Sequence, residues 1–179
     1  MRPPSMSPFR SRSKQILTAL LAAALLAAVP AGAAENDPGS GRTSLKLPRF
    51  ASLRAAEVNV RTGPGTRYPV EWVYVQRSLP VEITAEFDVW RKIRDVDGTE
   101  GWVHQSMLTG KRTVMVRDAL EPMRRNPAAD SPAIARVEPK VVGRLLNCRD
   151  DWCRVEISGL RGWMQRKHLF GVFPDEKVE

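Results

Sequence analysis

The stretch NVRTGPGTRYP, Asn59 to Pro69, concentrates residue types that do chemistry. Two glycines flank a proline, with an arginine on either side and a tyrosine near the end. A phosphate cradle would need free backbone N–H groups and a lysine at the start of a helix. Here Pro64 removes one N–H, no lysine follows, and the flanks alternate apolar and polar residues. The stretch reads as a loop between strands, with Gly63 and Gly65 letting the chain bend around Pro64. Arg61 and Arg67 at its ends are candidates to hold a carboxylate. Tyr68, Trp90 and Trp102 are candidates for an aromatic ligand-binding groove, because amphipathic rings line such grooves. The plainer alternatives are solvated charges and rings that fill a small core.

Other motifs carry less. DVDGTE, Asp95 to Glu100, starts like a calcium loop, but that site needs further ligands and flanking helices. Asp97-Gly98 is instead a strong two-residue hairpin signal. His104 and His168 sit in no metal spacing and beside no nucleophile, and the pair Asp150-Asp151 falls in a turn. No Ser/His/Asp or Cys/His set presents itself, so no catalytic residue, metal or cofactor is expected. An enzyme reading would need a titratable residue whose single substitution abolishes a measurable hydrolytic activity.

The elements that must position these residues follow from the rest of the chain. Residues 1–33 combine a basic leader (Arg2, Arg10, Arg12, Lys14), an apolar run from Ile16 to Val29, and the small residues Ala31-Gly32-Ala33. The run is shorter than the ~20 residues of a membrane span. This is the pattern of a secretory signal peptide cleaved between Ala33 and Ala34, with an uncleaved anchor as the rival. The expected compartment is the periplasm or the exterior, with no stable membrane span after cleavage. The whole chain carries 28 basic and 20 acidic residues, +8. Without the leader 24 bases face 20 acids, a net charge of +4. That is too weak a footprint for nucleic acid.

Residues 34–49 read as a flexible linker. Beyond them short runs such as VEWVYV, VEITAEF, WRKIR and GWVH alternate with period two and are bounded by Gly, Pro and Asp, so the chain is expected to be all-β. An internal repeat runs through it. VWRKI (Val89–Ile93) falls on DWCRV (Asp151–Val155), GWVHQSML on GWMQRKHL, and VRTGP (Val60–Pro64) on MRRNP (Met123–Pro127). The Arg-to-Trp separations are 29 and 28 residues. A unit of about 60 residues must curl into a small barrel to bury enough apolar surface. Asp88-Val89 is expected to turn between two strands of the first unit, and Ser158-Gly159 to take the place of Asp97-Gly98 in the second. If the hairpins of the two units pair alike, Cys148 lies across from Cys153. A structural disulfide is then the natural reading in an oxidising compartment, against free thiols or redox work.

The ordered set VNVRTGPGTRYPV, then LPVEITAEFDVWRKIRDVDGTEGWVH, with the lead-in LPRFASL, resembles the bacterial SH3-like domains of exported proteins. The second copy departs from it, with Arg125-Asn126 in place of Thr62-Gly63 and no second glycine. The resemblance implies two tandem small SH3-like barrels of five to six strands each, at 50–110 and 111–173, followed by a C-terminal tail at 174–179. It also implies a non-catalytic module that binds peptidoglycan or its stem peptides, or a periplasmic protein or extended peptide.

Overall fold

The computed structural model describes residues 43–179, so the leader, the cleavage site at Ala33 and Ala34, and most of the linker lie outside the described residues. The described chain has fourteen strands and two single 3-10 turns. The first seven strands are β1 (Arg49–Leu53), β2 (Val58–Arg61), β3 (Val70–Tyr74), β4 (Pro80–Phe87), β5 (Trp90–Arg94), β6 (Glu100–His104) and β7 (Leu108–Thr109). The second seven are β8 (Thr113–Val116), β9 (Glu121–Arg124), β10 (Ala133–Val137), β11 (Val142–Arg149), β12 (Trp152–Ile157), β13 (Leu160–Gln165) and β14 (Leu169–Phe170). They form two antiparallel sheets ordered β3-β2-β6-β5-β4-β1-β7 and β10-β9-β13-β12-β11-β8-β14. The expected all-β tandem of small barrels is therefore present. Each sheet has seven strands rather than five or six, because the chain after each 3-10 turn adds a two-residue strand against β1 or β8.

The two sheets match down to their irregularities. The ladder slips once between Ile83 and Ala85 and once between Leu145 and Asn147. Period-two alternation puts Val58, Val60, Val81, Ile83, Ile93 and Val103 in one core and Val116, Met123, Leu145, Val155 and Met164 in the other. None of the five tryptophans is in either core. Branched aliphatics and methionines fill these narrow interiors, and the larger rings stand on the outer faces.

The connections between strands explain why the loops look as they do. Asp88 turns β4 into β5 with φ 48°, and Asp150 does the same for β11 and β12. Ser158 and Gly159 both have positive φ, at 51° and 81°, as a two-residue primed turn requires. The matching connection in the first barrel differs from the two-residue turn expected at Asp97-Gly98. It spans residues 95–99, because Asp95 organises it. Asp95 Oδ1 accepts from the N–H groups of Asp97 (3.0 Å) and Thr99 (2.8 Å), and Tyr74 donates its hydroxyl to Oδ2 at 2.7 Å. Burial and the bond to the Asp95 carboxylate push the Tyr74 phenol well above its usual range. Both oxygens of the carboxylate that opened the calcium-like motif are thus already occupied.

The barrels share a packed joint. Phe50 meets Phe170 edge-on at 5.2 Å and Phe173 at 4.5 Å, and Met115 of β8 enters the first core. Thr113 donates its hydroxyl to Ser78 O at 2.7 Å, so Ser52 is the donor in the buried 2.6 Å pair Ser52–Thr113.

Candidate functional site

The loop between β2 and β3 is tied from within. Thr62 N donates to Pro69 O at 3.2 Å, Tyr68 N to Gly65 O at 3.2 Å, and Gly65 N to Gly63 O at 3.0 Å. Arg61 turns its guanidinium back into this loop, where Nη1 donates to Tyr68 O at 2.7 Å and to Thr66 O at 3.2 Å. Arg61 is therefore a staple of its own loop through Nη1. Arg124 does the same job in the second barrel, donating to Ser131 O at 2.6 Å. Arg67 stays exposed, its guanidinium 5.1 Å from the Tyr68 ring centroid. It is the arginine of this loop whose charge faces solvent.

The glycines have a reason other than the bend. Gly63 and Gly65 are not among the positive-φ glycines. The half-buried Tyr68 ring lies on them, and a Cβ at Gly63 would stand 2.5 Å from it. The second barrel repeats the loop's backbone bonds, with Asn126 and Ala128 at these two places and Ser131 where Tyr68 stands. Ser131 Oγ accepts from Asn126 N at 2.9 Å. Glycine is lost where the ring is lost.

The tryptophans assemble on the outer face of β5 and β6. Alternation places Trp90, Lys92 and Arg94 on one side of β5 and Glu100, Trp102 and His104 on the same side of β6. The register then sets Phe87 against Trp90, Trp90 against His104, Lys92 against Trp102, and Trp102 against Arg61. Trp90 and His104 meet edge-on at 5.6 Å, and both tryptophans are half-buried. Lys92 is held by Glu100 at 2.5 Å. Bonds from Lys92, then Arg94, keep the Glu100 carboxyl below its usual range. The structure thus brings Trp90, Trp102 and Arg61 onto one strip, with Tyr68 and Arg67 on the loop that Arg61 closes. His104, Lys92 and Phe87 belong to this strip and were missed. The signal for Lys92 and His104 was their period-two spacing from the two tryptophans, whereas Phe87 joins the strip only through the β4–β5 register.

The same strip recurs on the second barrel. Arg149 faces Trp152, Trp152 faces Gln165, Arg154 faces Trp163, and Trp163 faces Arg124. Both tryptophans are again half-buried, and Arg149 and Arg154 are exposed. Clefts are present at the joint of the barrels, beside the residues around Phe50, and beside the C-terminal segment. Among the described residues no group of three or more His, Cys, Asp or Glu is placed to hold a metal ion.

The cysteines are joined. Cys148 and Cys153 face each other across β11 and β12, with an S–S distance of 2.04 Å. The repeat places them where the first barrel has Glu86 and Arg91, also a cross-strand pair. There Arg91 Nε lies 3.2 Å from Glu86, with the two side chains 2% and 5% exposed. Arg49 and Thr43 also bond to Glu86. Burial pushes the Glu86 carboxyl up, but the Arg49 and Thr43 bonds outweigh it, and the group titrates below its usual range.

Three solved structures are similar to this chain at low identity. NlpC1 from Trichomonas vaginalis is 14% identical, with 73% of this chain and 48% of that one covered and a TM-score of 0.33. NlpC2 from the same organism is 13% identical, covering 75% and 52%, also at 0.33. The structure of the endolysin LysPBC5 CBD is 14% identical, covering 67% and 90%, at 0.25. This chain spans about half the length of the two NlpC structures. No curated protein matches it. The model of the bacterial SH3 domain matches twice, at residues 54–110 and 118–171, which is more than half of the sequence. With the repeat, the paired sheets and both matches in register, the chain belongs to the bacterial SH3 domain family and carries two copies of the domain.

Proposed function

We propose that this protein is an exported, non-catalytic module of the cell envelope that binds peptidoglycan or its stem peptides on the tryptophan strips. The observation that carries this reading is the recurrence, at one register, of two half-exposed tryptophans flanking a cation on both barrels. Indole faces stack on sugar rings and on the flat amides of a peptide. Arg67 on the first barrel, and Arg149 and Arg154 on the second, supply cations for stem-peptide carboxylates. Tyr68 shapes the loop that carries Arg67. The disulfide fits an oxidising compartment. Retention of the protein on isolated sacculi at moderate salt tests the reading. Trp90→Ala combined with Trp102→Ala should release most of the protein, and failure of the unaltered protein to be retained overturns it.

A second reading, an adaptor for an extended periplasmic peptide, is favoured by β3. This strand lies at the edge of its sheet and exposes Val70 (42%), Trp72 (43%) and Val73 (43%), with Val75 (80%) just beyond it. An edge of this kind accepts an added strand. Crosslinking in cells that recovers one protein and no muropeptide, and is lost in Trp72→Lys, would favour this reading over the first.

A further inference from the structure

We propose a second binding site, beyond the tryptophan strips, at the joint of the two barrels: a cleft that takes a phosphate ester. It has a volume of about 390 Å³ and is lined by Ser52, Leu53 and Arg54 at the end of β1, Arg77 and Ser78 before β4, and Thr109, Lys111 and Thr113 at and after β7. Three backbone bonds fix these segments: Leu53 N to Leu79 O (2.9 Å), Ser78 N to Leu53 O (2.9 Å) and Arg54 N to Met107 O (2.8 Å). Ser52, Leu53 and Thr113 are buried and form the floor. Arg54, Arg77 and Lys111 are exposed and form the rim.

Charge marks this cleft. Arg49, Arg91, Lys92, Arg94, Arg112, Lys140, Arg144 and Arg161 all sit in ion pairs. Arg54, Arg77 and Lys111 have no ion-pair partner among the described residues, and no carboxylate lines the cleft. Another cleft, on the second barrel and lined by Arg117, Arg166 and Lys167, contains Asp151. Three cations gathered without an acid repel one another, and an anion relieves that repulsion. A carboxylate would offset one charge of the three. A phosphate offsets more and presents oxygens to two guanidinium forks and an ammonium at once. The volume falls within the ~300–1,000 Å³ of small-molecule sites and exceeds that of bare phosphate, leaving room for the esterified group.

The test titrates inorganic phosphate and glycerol phosphate into the protein, following backbone amide signals, with sodium chloride of equal ionic strength as control. A parallel arm measures binding to phosphatidylglycerol vesicles against phosphatidylcholine. Saturable shifts centred on Ser52, Ser78 and Lys111, weakened about ten-fold or more in Arg77→Ala with Lys111→Ala, are expected. Arg77→Lys with Lys111→Arg should keep most of the affinity. Binding to vesicles without binding of the soluble ester assigns the phosphate to a lipid headgroup. No binding in any phosphate arm, an equal response to chloride, or unchanged affinity in the double alanine variant overturns the proposal. Trp90→Ala with Trp102→Ala should leave phosphate binding intact, which separates this site from the wall-binding reading.

Discussion

Gly63 and Tyr68 form one unit of structure five residues apart. The ring occupies the space that a side chain at position 63 would need. Gly63→Ala should therefore destabilise the protein by about 1–3 kcal/mol, the usual cost of overpacking. Tyr68→Ser in the same chain should recover most of that loss, because it recreates the pairing of a small polar residue with a non-glycine seen at Ser131 and Asn126. Urea unfolding of both single variants and the double variant measures the coupling; strictly additive costs would refute it. Arg61→Ala makes a second case. It leaves the Tyr68 and Thr66 carbonyls without their donor, at a cost of about 1–3 kcal/mol if they stay shielded from water. An exposed carboxylate-binding arginine would cost almost nothing in stability, so the unfolding free energy of this variant separates the two roles. From sequence, glycines beside proline read as a turn. The actual reason needed the knowledge that Tyr68 folds back on its own loop, which no local pattern encodes.

The β4–β5 and β11–β12 hairpins solve one problem with different chemistry. Each has a buried cross-strand pair beside its turn, Glu86 with Arg91 in one and Cys148 with Cys153 in the other. The disulfide was legible because the repeat set the two cysteines opposite each other. The ion pair was not, since Glu86 and Arg91 read as ordinary polar strand residues. Their burial is completed by Thr43 and Arg49, more than thirty residues away. The two hairpins should fail under opposite conditions. The folded Glu86 carboxyl titrates below its unfolded value of about 4.3, so its contribution is complete above that pH and is lost as pH falls through the folded value. Reduction of the disulfide should cost the other hairpin about 2 kcal/mol at any pH. Acid titration should thus weaken the amide signals of Arg91 to Arg94 before those of Cys153 to Glu156, and a reductant at neutral pH should reverse the order. Loss of both sets together under either condition would show that the pairs do not govern their hairpins separately.

At the scale of the molecule, the repeat made two all-β units readable, because turn residues and alternating apolar positions are local signals. The joint between them was not readable, for it depends on Phe50 meeting Phe170 and Phe173 across more than a hundred residues. The strips were half readable: tryptophans announce themselves, but only strand register shows that Trp90 and Trp102 share a face. The C-terminal residues 174–179 strap the second barrel to the joint. Cys148 N donates to Val178 O at 2.9 Å, and the buried Arg166 donates to Glu176 O at 2.8 Å and Phe173 O at 2.9 Å. Arg112, whose guanidinium lies 5.8 Å from the Phe50 ring centroid, pairs with the Glu176 carboxylate. Burial raises the Glu176 pKa, but Arg112 and the Phe173 N–H outweigh it and hold the group below its usual range. Removing residues 174–179 strips partners from two part-buried or buried arginines at once, which should cost about 3–5 kcal/mol. Glu176→Gln removes only the charge and should cost less. Its deficit relative to the unaltered protein should vanish as pH falls through the folded Glu176 value, since the unaltered protein loses there the stabilising charge that the variant lacks at every pH. Because Arg112 also reaches Gly171 O and Phe50, the loss should lower the unfolding temperature of both barrels together. Thermal unfolding followed at amides of each sheet decides this; a drop confined to β8–β14 would mean that the strap serves its own barrel alone.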